Sequence, residues 1–517
     1  MTSDARVAGD PFADPSDSDQ QRDVLVALES TLSVGRDVSL SLGTDSLIVL
    51  DESLVGADRG LCCGIIPRAP KTTYAVPLYN VLWAELTEFD LTIHYARSQS
   101  QDSVRVAFIN YSIEKTERAR ASAWIARLLD RAYGEAQREK RIKVLINPFG
   151  GKGAAQRNYV RDIEPILAAA HCTIDVEQTK YQGHAVDIAE KLDIDAYDVI
   201  ACCSGDGVPH EVFNGLAKKG DARKALSKIA VVQLPCGSGN AMSLNLNGTI
   251  SPSIAGHCLV KGLRTPLDLV SITQGDRRTL SFLSQSVGIV AESDLGTDNI
   301  RWMGSARFTV GFLVRLLRDS LYPCDIAVGV EIADKPSIKE HYEREVQKRT
   351  VAKNRRETPA VIEESASTAS NDSNSLPPLR FGTINDSLPK SWNMVPYDNL
   401  GNFYAGNMAY MSSDANFFPA ALPDDGYQDL VCIDGDISRA AALRAMLAVE
   451  KGTFFNLPYV GYRKITGYRI IPKAQGDGYI SIDGERIPFK PFQAEVHRGL
   501  GTVLSKNGQI YEAMGPP

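Results

Sequence analysis

Hydrophobic and polar residues alternate in short runs from Val24 to Ile113. The runs SLIVL, YNVLWAEL, DLTIHYA and VRVAFINY are rich in β-branched and aromatic residues, and polar stretches separate them. This pattern predicts antiparallel strands. In the following segment, ERARASAWIARLLDRAYG, apolar residues recur every three or four positions, which predicts a helix. Its buried stripe is predicted to consist of Ala121, Trp124, Ile125, Leu128 and Leu129.

Antiparallel strands followed by one C-terminal helix resemble a pleckstrin-homology-like domain, which we expect over residues 22–135. Residues 1–21 are rich in Asp, Ser and Pro and contain few large apolar groups. Such a segment cannot offset the entropy cost of ordering, so we predict that it is disordered.

A different pattern starts at Lys143, where apolar strands alternate with helical segments. The strand KVLINP precedes a glycine-rich turn and a helix, and CTIDVEQT precedes a helix from about Ala185 to Leu192. The strand VIACCS then precedes another helix. Strands that alternate with helices indicate a mainly parallel sheet with helices on its faces. We therefore predict an α/β domain over residues 140–268.

The remaining sequence is rich in β-type runs. They include LDLVSIT, TLSFLSQSVG, DIAVGVEI, FYAGNMAYM, DLVCIDG and GYISIDG. These runs predict an all-β sandwich over residues 269–517. A tract over residues 334–397 is first charged and then rich in Ser, Asn and Pro, which predicts a disordered insertion.

Length and charge limit the classes of function. The 517 residues exceed the roughly 250–300 that one core supports, so several domains are expected. A formal net charge of -7 argues against a nucleic-acid partner and against bulk attraction to anionic membranes. No run approaches the ~18 apolar residues of a membrane-spanning helix, and the N-terminus lacks signal-peptide features. We expect a cytoplasmic protein whose membrane contacts are local.

Two glycine-rich turns each follow an apolar strand and precede a helical segment. They are NPFGGKG, from Asn147 to Gly153, and LPCGSGNA, from Leu234 to Ala241. Glycine lets the backbone approach an anion closely, and the N–H groups that begin a helix favour negative charge. Each turn alone is also compatible with a simple connection, since the Walker A pattern is absent.

Between these two turns in the chain, the motif SGDG forms the second of three turns and places Asp206 directly after the buried strand VIACCS. Ligands of parallel sheets bind at this carboxyl end of the strands. The alternative is that Asp206 caps the helix that follows it. Three such turns in one sheet are expected to converge at one edge, and their joint occurrence is the strong signal for a phosphate-binding site.

These motifs resemble those of the diacylglycerol-kinase-type lipid kinases and, among them, the sphingosine (long-chain base) kinases. NPFGGKG, SGDGVPHEVFNGL and LPCGSGNA occur in the family's order. SGDG in place of GGDG points to the sphingosine branch, as do the stretch from Ala291 to Phe308 and the Asp-Gly-Glu that ends at Glu485. The sequence departs from animal relatives at Phe149 and Glu292.

The resemblance implies ATP-dependent phosphorylation of the primary hydroxyl of sphingoid bases, with Asp206 as the general base. It assigns nucleotide binding to the α/β domain over residues 140–268 and lipid binding to the β-sandwich domain over residues 269–517, with the nucleotide cleft between them. It also implies a set of residues that contact ATP. These are Asn147, Pro148, Phe149, Gly150, Gly151, Thr179, Lys180, Tyr181, Gln182, Gly183, Gly205, Gly207, Glu211, Gly237, Ser238, Gly239, Asn240, Arg301, Arg307, Asp483, Gly484 and Glu485. A solvated basic helix face is the alternative interpretation of the two arginines.

Substrate recognition is assigned to Ser204 and Asp294. A sphingoid base carries an ammonium group, which Asp294 is expected to bind through a charge-assisted hydrogen bond. The alternative for Asp294 is a loop or helix-capping role. Apolar residues at helical spacing are candidates for a channel around the lipid tail, although such a stripe is often ordinary core. They are Phe308, Phe312, Leu313, Leu316 and Leu317.

Magnesium is expected with ATP, and its candidate ligands are Asp206, Asp425 and Asp429. The last two are equally compatible with a turn. Peripheral membrane attachment is expected through acylation of Cys62 and Cys63, with burial of both thiols in a strand as the alternative. Two other functions stay open: a ceramide or diacylglycerol kinase, and a catalytically inactive lipid-binding scaffold.

Overall fold

The computed structural model describes residues 30–34, 38–51, 73–151, 153–295, 321–356, 375–473 and 478–517. The chain divides into two compact units. Unit 1 takes in the described residues up to Arg97 and the range Val106–Gly134, and unit 2 takes in Ser98–Arg105 and Glu135–Pro517.

Seven described strands lie wholly or partly in unit 1. They are β1 (Thr31–Ser33), β2 (Val38–Leu42), β3 (Ser46–Asp51), β4 (Thr73–Pro77), β5 (Val81–Leu86), β6 (Asp90–Ser100) and β7 (Ser103–Ser112). The first four form one antiparallel sheet in sequence order, and the last three form a second sheet. Short 3₁₀ turns lie at Leu78–Asn80 and Lys115–Glu117.

Helix α1 (Arg118–Tyr133) closes unit 1. The predicted stripe is confirmed, because all five of its apolar residues are buried. The indole N–H of Trp124 donates to the Ser30 carbonyl at 2.9 Å, so the helix also satisfies a polar group of the first strand region. The helix ends at Gly134, whose φ of 52° is a conformation that glycine adopts at little cost.

The first part of unit 2 alternates strands and helices as predicted. Four strands, β8 (Arg141–Ile146), β9 (Thr173–Gln178), β10 (Val199–Ser204) and β11 (Ala230–Pro235), are parallel in the order β9-β8-β10-β11. The helices are α2 (Ala155–Asn158), α3 (Glu164–Ala169), α4 (His184–Lys191), α5 (Gly207–Ala217), α6 (Ala222–Lys228), α7 (Ala241–Asn247) and α8 (Pro252–Lys261). A π-helical turn, Tyr159–Ile163, joins α2 to α3. The mixed α/β character is confirmed.

The later strands of unit 2 are mainly antiparallel. They are β12 (Leu263–Gln274), β13 (Arg277–Ser281), β14 (Ser284–Gly288), β15 (Cys324–Ile332), β16 (Val395–Tyr397), β17 (Leu400–Gly406), β18 (Tyr410–Ser412), β19 (Ala415–Asn416), β20 (Gln428–Asp434), β21 (Gly461–Pro472), β22 (Ile480–Ile482), β23 (Glu485–Ile487) and β24 (Phe492–Ser505).

Strand β24 joins the two parts of unit 2. It pairs antiparallel with β12 and β21, and it meets β11 in parallel at Val231 and Val503. The predicted boundary at residue 268 therefore falls inside β12. One cluster of buried side chains continues across it, from Leu145 on β8 through Phe213 on α5 to Tyr462 on β21.

The prediction that residues 269–517 are all β is wrong, because the described part of this range contains three further helices. They are α9 (Ile289–Leu295), α10 (Lys335–Arg356) and α11 (Arg439–Val449), and a 3₁₀ turn lies at Thr453–Asn456. Helix α11 contains five alanines and two leucines, which are strong helix formers. The Ser438 hydroxyl accepts a hydrogen bond from the Ala441 N–H at 3.2 Å and caps the helix.

The prediction of disorder over residues 334–397 is also wrong for the tract's described ends. Helix α10 occupies its start, and β16 lies at its end. Ile338 of α10 is fully buried in the core, and the Lys335 ammonium donates to the Leu457 carbonyl at 2.7 Å. Burial of one apolar side chain together with such tertiary contacts stabilises a helix whose charged sequence gives little indication of burial. In the described residues, no helix is both long and apolar enough to cross a membrane.

Candidate active site

The three glycine-rich turns meet at the carboxyl ends of β8, β10 and β11. A Cβ atom on Gly237 would lie 2.3 Å from the Gly205 Cα, so the second and third turns are in backbone contact. A Cβ on Gly151 would lie 3.1 Å from the Cys236 carbonyl oxygen, which brings the first turn against the third. Gly151 also has a φ of 57°. The expected convergence at one sheet edge is confirmed, and it requires glycine because no side chain fits between the turns.

Two asparagines shape the outer turns. The Asn147 side-chain oxygen accepts a hydrogen bond from the Phe149 N–H at 2.9 Å. The Asn240 side chain closes the third turn on itself, since it accepts from the Gly237 N–H at 3.2 Å and donates to the Gly237 carbonyl at 3.0 Å. Asn240 thus supports the turn through Gly237.

The Asp206 carboxylate is held by three donors. It accepts hydrogen bonds from the Ala241 N–H at 3.0 Å, the Met242 N–H at 3.0 Å and the Gln233 side-chain amide at 3.1 Å. Asp206 precedes α5 but makes no side-chain hydrogen bond to that helix. The alternative that it caps the following helix is therefore wrong, because its carboxylate binds the first N–H groups of α7.

Burial raises the pKa of the Asp206 carboxyl above its ordinary value, although the three hydrogen bonds act in the opposite direction. A carboxylate offers about four lone-pair directions, of which three are used. The geometry therefore leaves acceptor capacity on a carboxylate that binds a proton more readily than an exposed aspartate does.

Gln233 is a site residue that the sequence reasoning missed. Its amide donates to Asp206, and its side-chain oxygen accepts from the Ser243 N–H at 2.8 Å. It thereby fixes the carboxylate relative to α7. The sequence contained a signal for this role, because Gln233 is a single polar residue in the otherwise apolar strand AVVQLP. In the structure its side chain is 1% exposed.

Glu211 has a different set of partners from those of Asp206. Its carboxylate accepts from the Gly183 N–H and the Ala185 N–H, both at 3.0 Å. These donors lie at the start of α4, where backbone N–H groups lack partners within the helix. Glu211 therefore joins α5 to α4, and Gly183 acts through its backbone.

The Asp483 carboxylate lies in the turn between β22 and β23 and is also saturated with donors. It accepts from the N–H groups of Phe282, Leu283 and Ser284 at 2.9–3.0 Å and from the Ser281 hydroxyl at 2.5 Å. The His210 Nδ1 lies 2.8 Å from its second oxygen. His210, four residues after Asp206, is a second residue that the sequence reasoning missed.

These groups surround a cavity of about 1010 Å³ in unit 2. Its polar end carries Asp206 and most of the residues predicted to contact ATP. They are Asn147, Phe149, Gly150, Gly151, Thr179, Lys180, Tyr181, Gln182, Gly205, Gly207, Glu211, Gly237, Ser238, Gly239, Asp483, Gly484 and Glu485. The Gln182 amide donates to Glu485 at 3.2 Å, so the segment before α4 approaches the Asp-Gly-Glu motif there.

Among the described residues predicted to contact ATP or the lipid substrate through their side chains or backbone, four do not line this cavity. They are Pro148, Gly183, Ser204 and Asn240. Ser204 is 1% exposed, and its hydroxyl donates to the Gly205 carbonyl at 2.8 Å. The predicted substrate contact of Ser204 is therefore not compatible with this geometry, because its side chain is directed into the loop backbone.

The other end of the cavity is apolar. Its wall combines residues of α9, β17, β20 and α11 with aromatic side chains from the connecting segments. The lining residues include Leu283, Ile289, Val290, Tyr404, Phe417, Val431, Ile433, Ala442, Ala445, Met446, Val449 and Phe454. Sequence reasoning missed this surface, because small and apolar residues on separate elements give no local motif.

Several predictions lie outside the described residues. They concern Arg301, Arg307, the apolar stripe from Phe308 to Leu317, and the pair Cys62 and Cys63. The backbone of Asp294 belongs to α9, whereas its side chain is outside the described part. The amine-binding role of Asp294 and the acylation of the cysteines stay predictions.

The prediction that Asp425 and Asp429 bind the metal is wrong. The Lys464 ammonium donates to both carboxylates at 2.9 Å and to the Ala420 carbonyl at 2.8 Å. All three side chains are buried, and none lines the cavity. Although burial acts against the charge, the two aspartates raise the pKa of Lys464 above its ordinary value. A lysine ammonium therefore already occupies the position between these carboxylates where a cation would bind. Among the described residues, no group of three or more His, Cys, Asp or Glu side chains is placed to hold a metal ion.

Comparison with known families matches both units. Residues 141–272 match the diacylglycerol kinase catalytic domain, and residues 30–134 match a domain of unknown function, DUF7493. A putative diacylglycerol kinase from Bacillus anthracis aligns with a TM-score of 0.47 at 16% identity, over 71% of this chain and 96% of that one.

Curated relatives are similar over most of this chain. Sphingoid long chain base kinase 5 of Saccharomyces cerevisiae is 37% identical over 75% of this chain, and the match spans 62% of that protein. Sphingoid long chain base kinase 4 of Schizosaccharomyces pombe is 33% identical over 86% of this chain and 91% of its own length. Sphingosine kinase 1 of Homo sapiens is 28% identical over 72% of this chain and 92% of its own length.

Proposed function

The chain belongs to the sphingoid long-chain base kinases, and from that premise we propose that it transfers the γ-phosphoryl group of ATP to the primary hydroxyl of a sphingoid base. The products are ADP and a long-chain base 1-phosphate. The observation that carries this proposal is the cavity itself, because three glycine turns and the half-buried Asp206 carboxylate form one end and mainly apolar side chains form the other.

The polar end supports binding of ATP. The glycine turns expose backbone N–H groups where a phosphate can approach, and Gly151, Gly205 and Gly237 leave no room for side chains. Phe149 and Tyr181 line the same end and are largely exposed, so their rings are available for packing against a nucleotide base. Lys180 adds a cation to this wall.

Asp206 is the proposed general base. It accepts the proton of the lipid hydroxyl while that oxygen attacks the γ-phosphorus, and the bond from the γ-phosphorus to the β–γ bridging oxygen breaks. A positioned base typically contributes about 10²–10⁴ in rate. The raised pKa of Asp206 suits this role, since a proton acceptor works better when its pKa is closer to the working pH.

The polar end also suits magnesium. Mg²⁺ is usually held by one or two carboxylates together with substrate phosphates, and Asp206 and Glu485 supply carboxylate oxygens on this wall. When bound, the ion would neutralise charge on the phosphates. Asp206, Gln233 and the start of α7 form a fixed acceptor independently of it.

The apolar end supports a single long alkyl chain. Its wall consists mainly of Leu, Ile, Val, Phe and Ala side chains, and the charged lining residues Asp434 and Arg439 lie at the end of β20 and the start of α11. Burial of each methylene contributes about 0.8 kcal/mol, so a long chain gains substantially by entering it. We propose that Asp294 binds the ammonium group near the reacting hydroxyl.

Two domain assignments complete the proposal. We assign a pleckstrin-homology-like fold to unit 1, supported by its two antiparallel-type sheets and the closing helix α1. We assign lipid binding to the β-rich part of unit 2, supported by its share of the apolar end. Peripheral attachment of the enzyme to membranes, with Cys62 and Cys63 as acylation sites, belongs to the same proposal.

An acceptor panel with labelled ATP tests the function. The purified chain should phosphorylate sphingoid bases in mixed micelles and should leave ceramide and diacylglycerol unmodified, because these lipids lack the ammonium group. Phosphorylation of ceramide or diacylglycerol in preference to the base would assign another lipid kinase activity. Absence of phosphorylation of all three lipids, with ATP bound, would favour a lipid-binding scaffold.

A further inference from the structure

Helix α11 presents apolar side chains to solvent as well as to the cavity. Ala442, Ala445 and Val449 are buried on the cavity side. Leu443 and Leu447 are 41% and 68% exposed. The two leucines are four residues apart, so they lie next to each other on one face of the helix. The helix that forms part of the lipid end of the cavity therefore also carries an exposed apolar stripe.

The charge around this stripe is opposite in sign to that of the whole protein. The chain has a formal net charge of -7, whereas α11 contains two arginines and no acidic residue. Arg444 follows Leu443 and is exposed. Just beyond the helix the exposed Glu450 and Lys451 have opposite charges, so the positive charge beside the stripe comes from the arginines of the helix. Exposed leucines beside cationic side chains match the interfacial region of a bilayer, where apolar chains lie below anionic phosphates.

A third exposed apolar residue lies close to the start of α11. Leu321 is 44% exposed. A Cβ on Gly435 would lie 2.5 Å from the Leu321 Cδ2, so this leucine packs on Gly435, which lines the cavity. Gly435 is three residues before Ser438, the residue that caps α11. Exposed leucines thus lie next to the cavity wall both before the start of α11, at Leu321, and on the helix itself, at Leu443 and Leu447.

We propose that the outer face of α11, formed by Leu443, Arg444 and Leu447, docks on the surface of a bilayer that contains anionic lipids. The inference rests on the proposed function, because a sphingoid base is an amphiphile that must be taken from a membrane. Leucine side chains would enter the interface, while the Arg444 guanidinium would bind lipid phosphate. Docking by this face holds the apolar end of the cavity next to the source of its substrate.

Vesicle partitioning of the full chain tests this surface. The protein is first treated with hydroxylamine, which removes any thioester-linked acyl group, and is then sedimented with phosphatidylcholine vesicles with or without phosphatidylserine. The double substitution Leu443→Gln/Leu447→Gln should lower partitioning onto the phosphatidylserine vesicles about tenfold or more. Arg444→Gln should lower the preference for those vesicles about fivefold, since one cation near an anionic surface contributes roughly that factor.

A matched control uses two exposed apolar residues elsewhere in unit 2. Val160 and Ile250 are 50% and 54% exposed and do not line the cavity. Val160→Gln/Ile250→Gln should leave partitioning unchanged. Equal loss in the control and the leucine variant, or unchanged partitioning of the leucine variant, would overturn the proposal. The proposal would also be overturned if light scattering showed that the wild-type chain is an oligomer, that the leucine variant is a monomer, and that vesicle partitioning is the same for both. The stripe would then bind a second copy of the chain.

Kinase assays separate this proposal from the proposed function. Leu443 and Leu447 do not line the cavity, so the leucine variant should phosphorylate a sphingoid base in mixed micelles at the wild-type rate within about twofold. That result also shows that the variant is folded. If the wild-type chain bound vesicles through these leucines but had no activity on the base in micelles, the proposed function would fail and the docking surface would stand.

Discussion

His210 donates a hydrogen bond of 2.8 Å from Nδ1 to a carboxylate oxygen of Asp483, and this bond joins α5 to the turn between β22 and β23. Burial by itself lowers the pKa of His210, but the hydrogen bond and the charge of Asp483 outweigh burial and raise it above the ordinary value. The pair connects the helix that follows Asp206 to the turn that carries Glu485.

We predict that this pair stabilises the fold most strongly at low pH. A histidine whose pKa is raised on folding stabilises fully below its unfolded pKa of about 6.5, and the stabilisation is lost as pH rises through the folded pKa. A charged hydrogen bond contributes about 1.5–3 kcal/mol. His210→Gln should therefore lower the urea-unfolding midpoint more at about pH 5.5 than at about pH 9. A difference that stays constant across this range would contradict the assignment, and Asp483→Asn should remove the pH dependence.

Asp206→Asn should remove most turnover and leave ATP affinity nearly unchanged. The substitution keeps the shape of the side chain but removes the proton acceptor, so kcat should fall by about 10²–10⁴. Because burial raises the pKa of Asp206, the acid limb of the wild-type kcat profile should lie above the pH expected for an exposed aspartate. Asp414→Asn, which neutralises another cavity-wall carboxylate, is the control. Wild-type turnover of Asp206→Asn would exclude the general-base role.

Gly237→Ala should abolish ATP binding. The added methyl group would lie 2.3 Å from the Gly205 Cα, so the second and third glycine turns must move apart. Gly220→Ala is the matched control, because no atom lies within 4 Å of the position of its Cβ. Calorimetric titration with ATP distinguishes the two variants. Equal affinity in Gly237→Ala and the wild type would show that the joined turns are not the phosphate site.

Lys464→Met should destabilise unit 2 by about 3–5 kcal/mol, because it leaves the buried Asp425 and Asp429 carboxylates without a cation. Burial already raises the pKa of Asp429 to about 6. Addition of Asp429→Asn should recover part of the loss. Unfolding midpoints provide the measurement. Chelation by EDTA should leave the wild-type midpoint unchanged; a decrease would restore the interpretation of these aspartates as metal ligands.

Ala445→Phe should shorten the apolar end of the cavity. Ala445 is buried on the cavity face of α11, so a phenyl ring there displaces part of the lipid chain. Loss of burial of two methylenes, each about 0.8 kcal/mol, corresponds to about tenfold or more in kcat/KM for a full-length base. A shorter base should lose less. Ala440→Phe, on the exposed face of the same helix, is the control. Equal losses for both chain lengths would place the tail elsewhere.

The sequence by itself determined the local features of this protein. Period-two runs and helical spacing identified four of the seven described strands of unit 1, the stripe of α1 and the α/β alternation, because each pattern lies within one element. The glycine turns were also visible locally, since close approach of backbone requires glycine wherever it occurs. The location of Asp206 at the end of a buried strand followed from the order of elements.

Only the tertiary structure decided what the carboxylates do. Asp206, Asp425, Asp429 and Asp483 have the same chemistry in the sequence, but one binds the N–H groups of α7, two neutralise Lys464 and one binds His210. Their partners come from other elements. In the same way, the apolar end of the cavity forms only where α9 and α11 pack next to β17 and β20. A local pattern specifies an element, whereas charge compensation and cavity shape arise between elements that are distant in sequence.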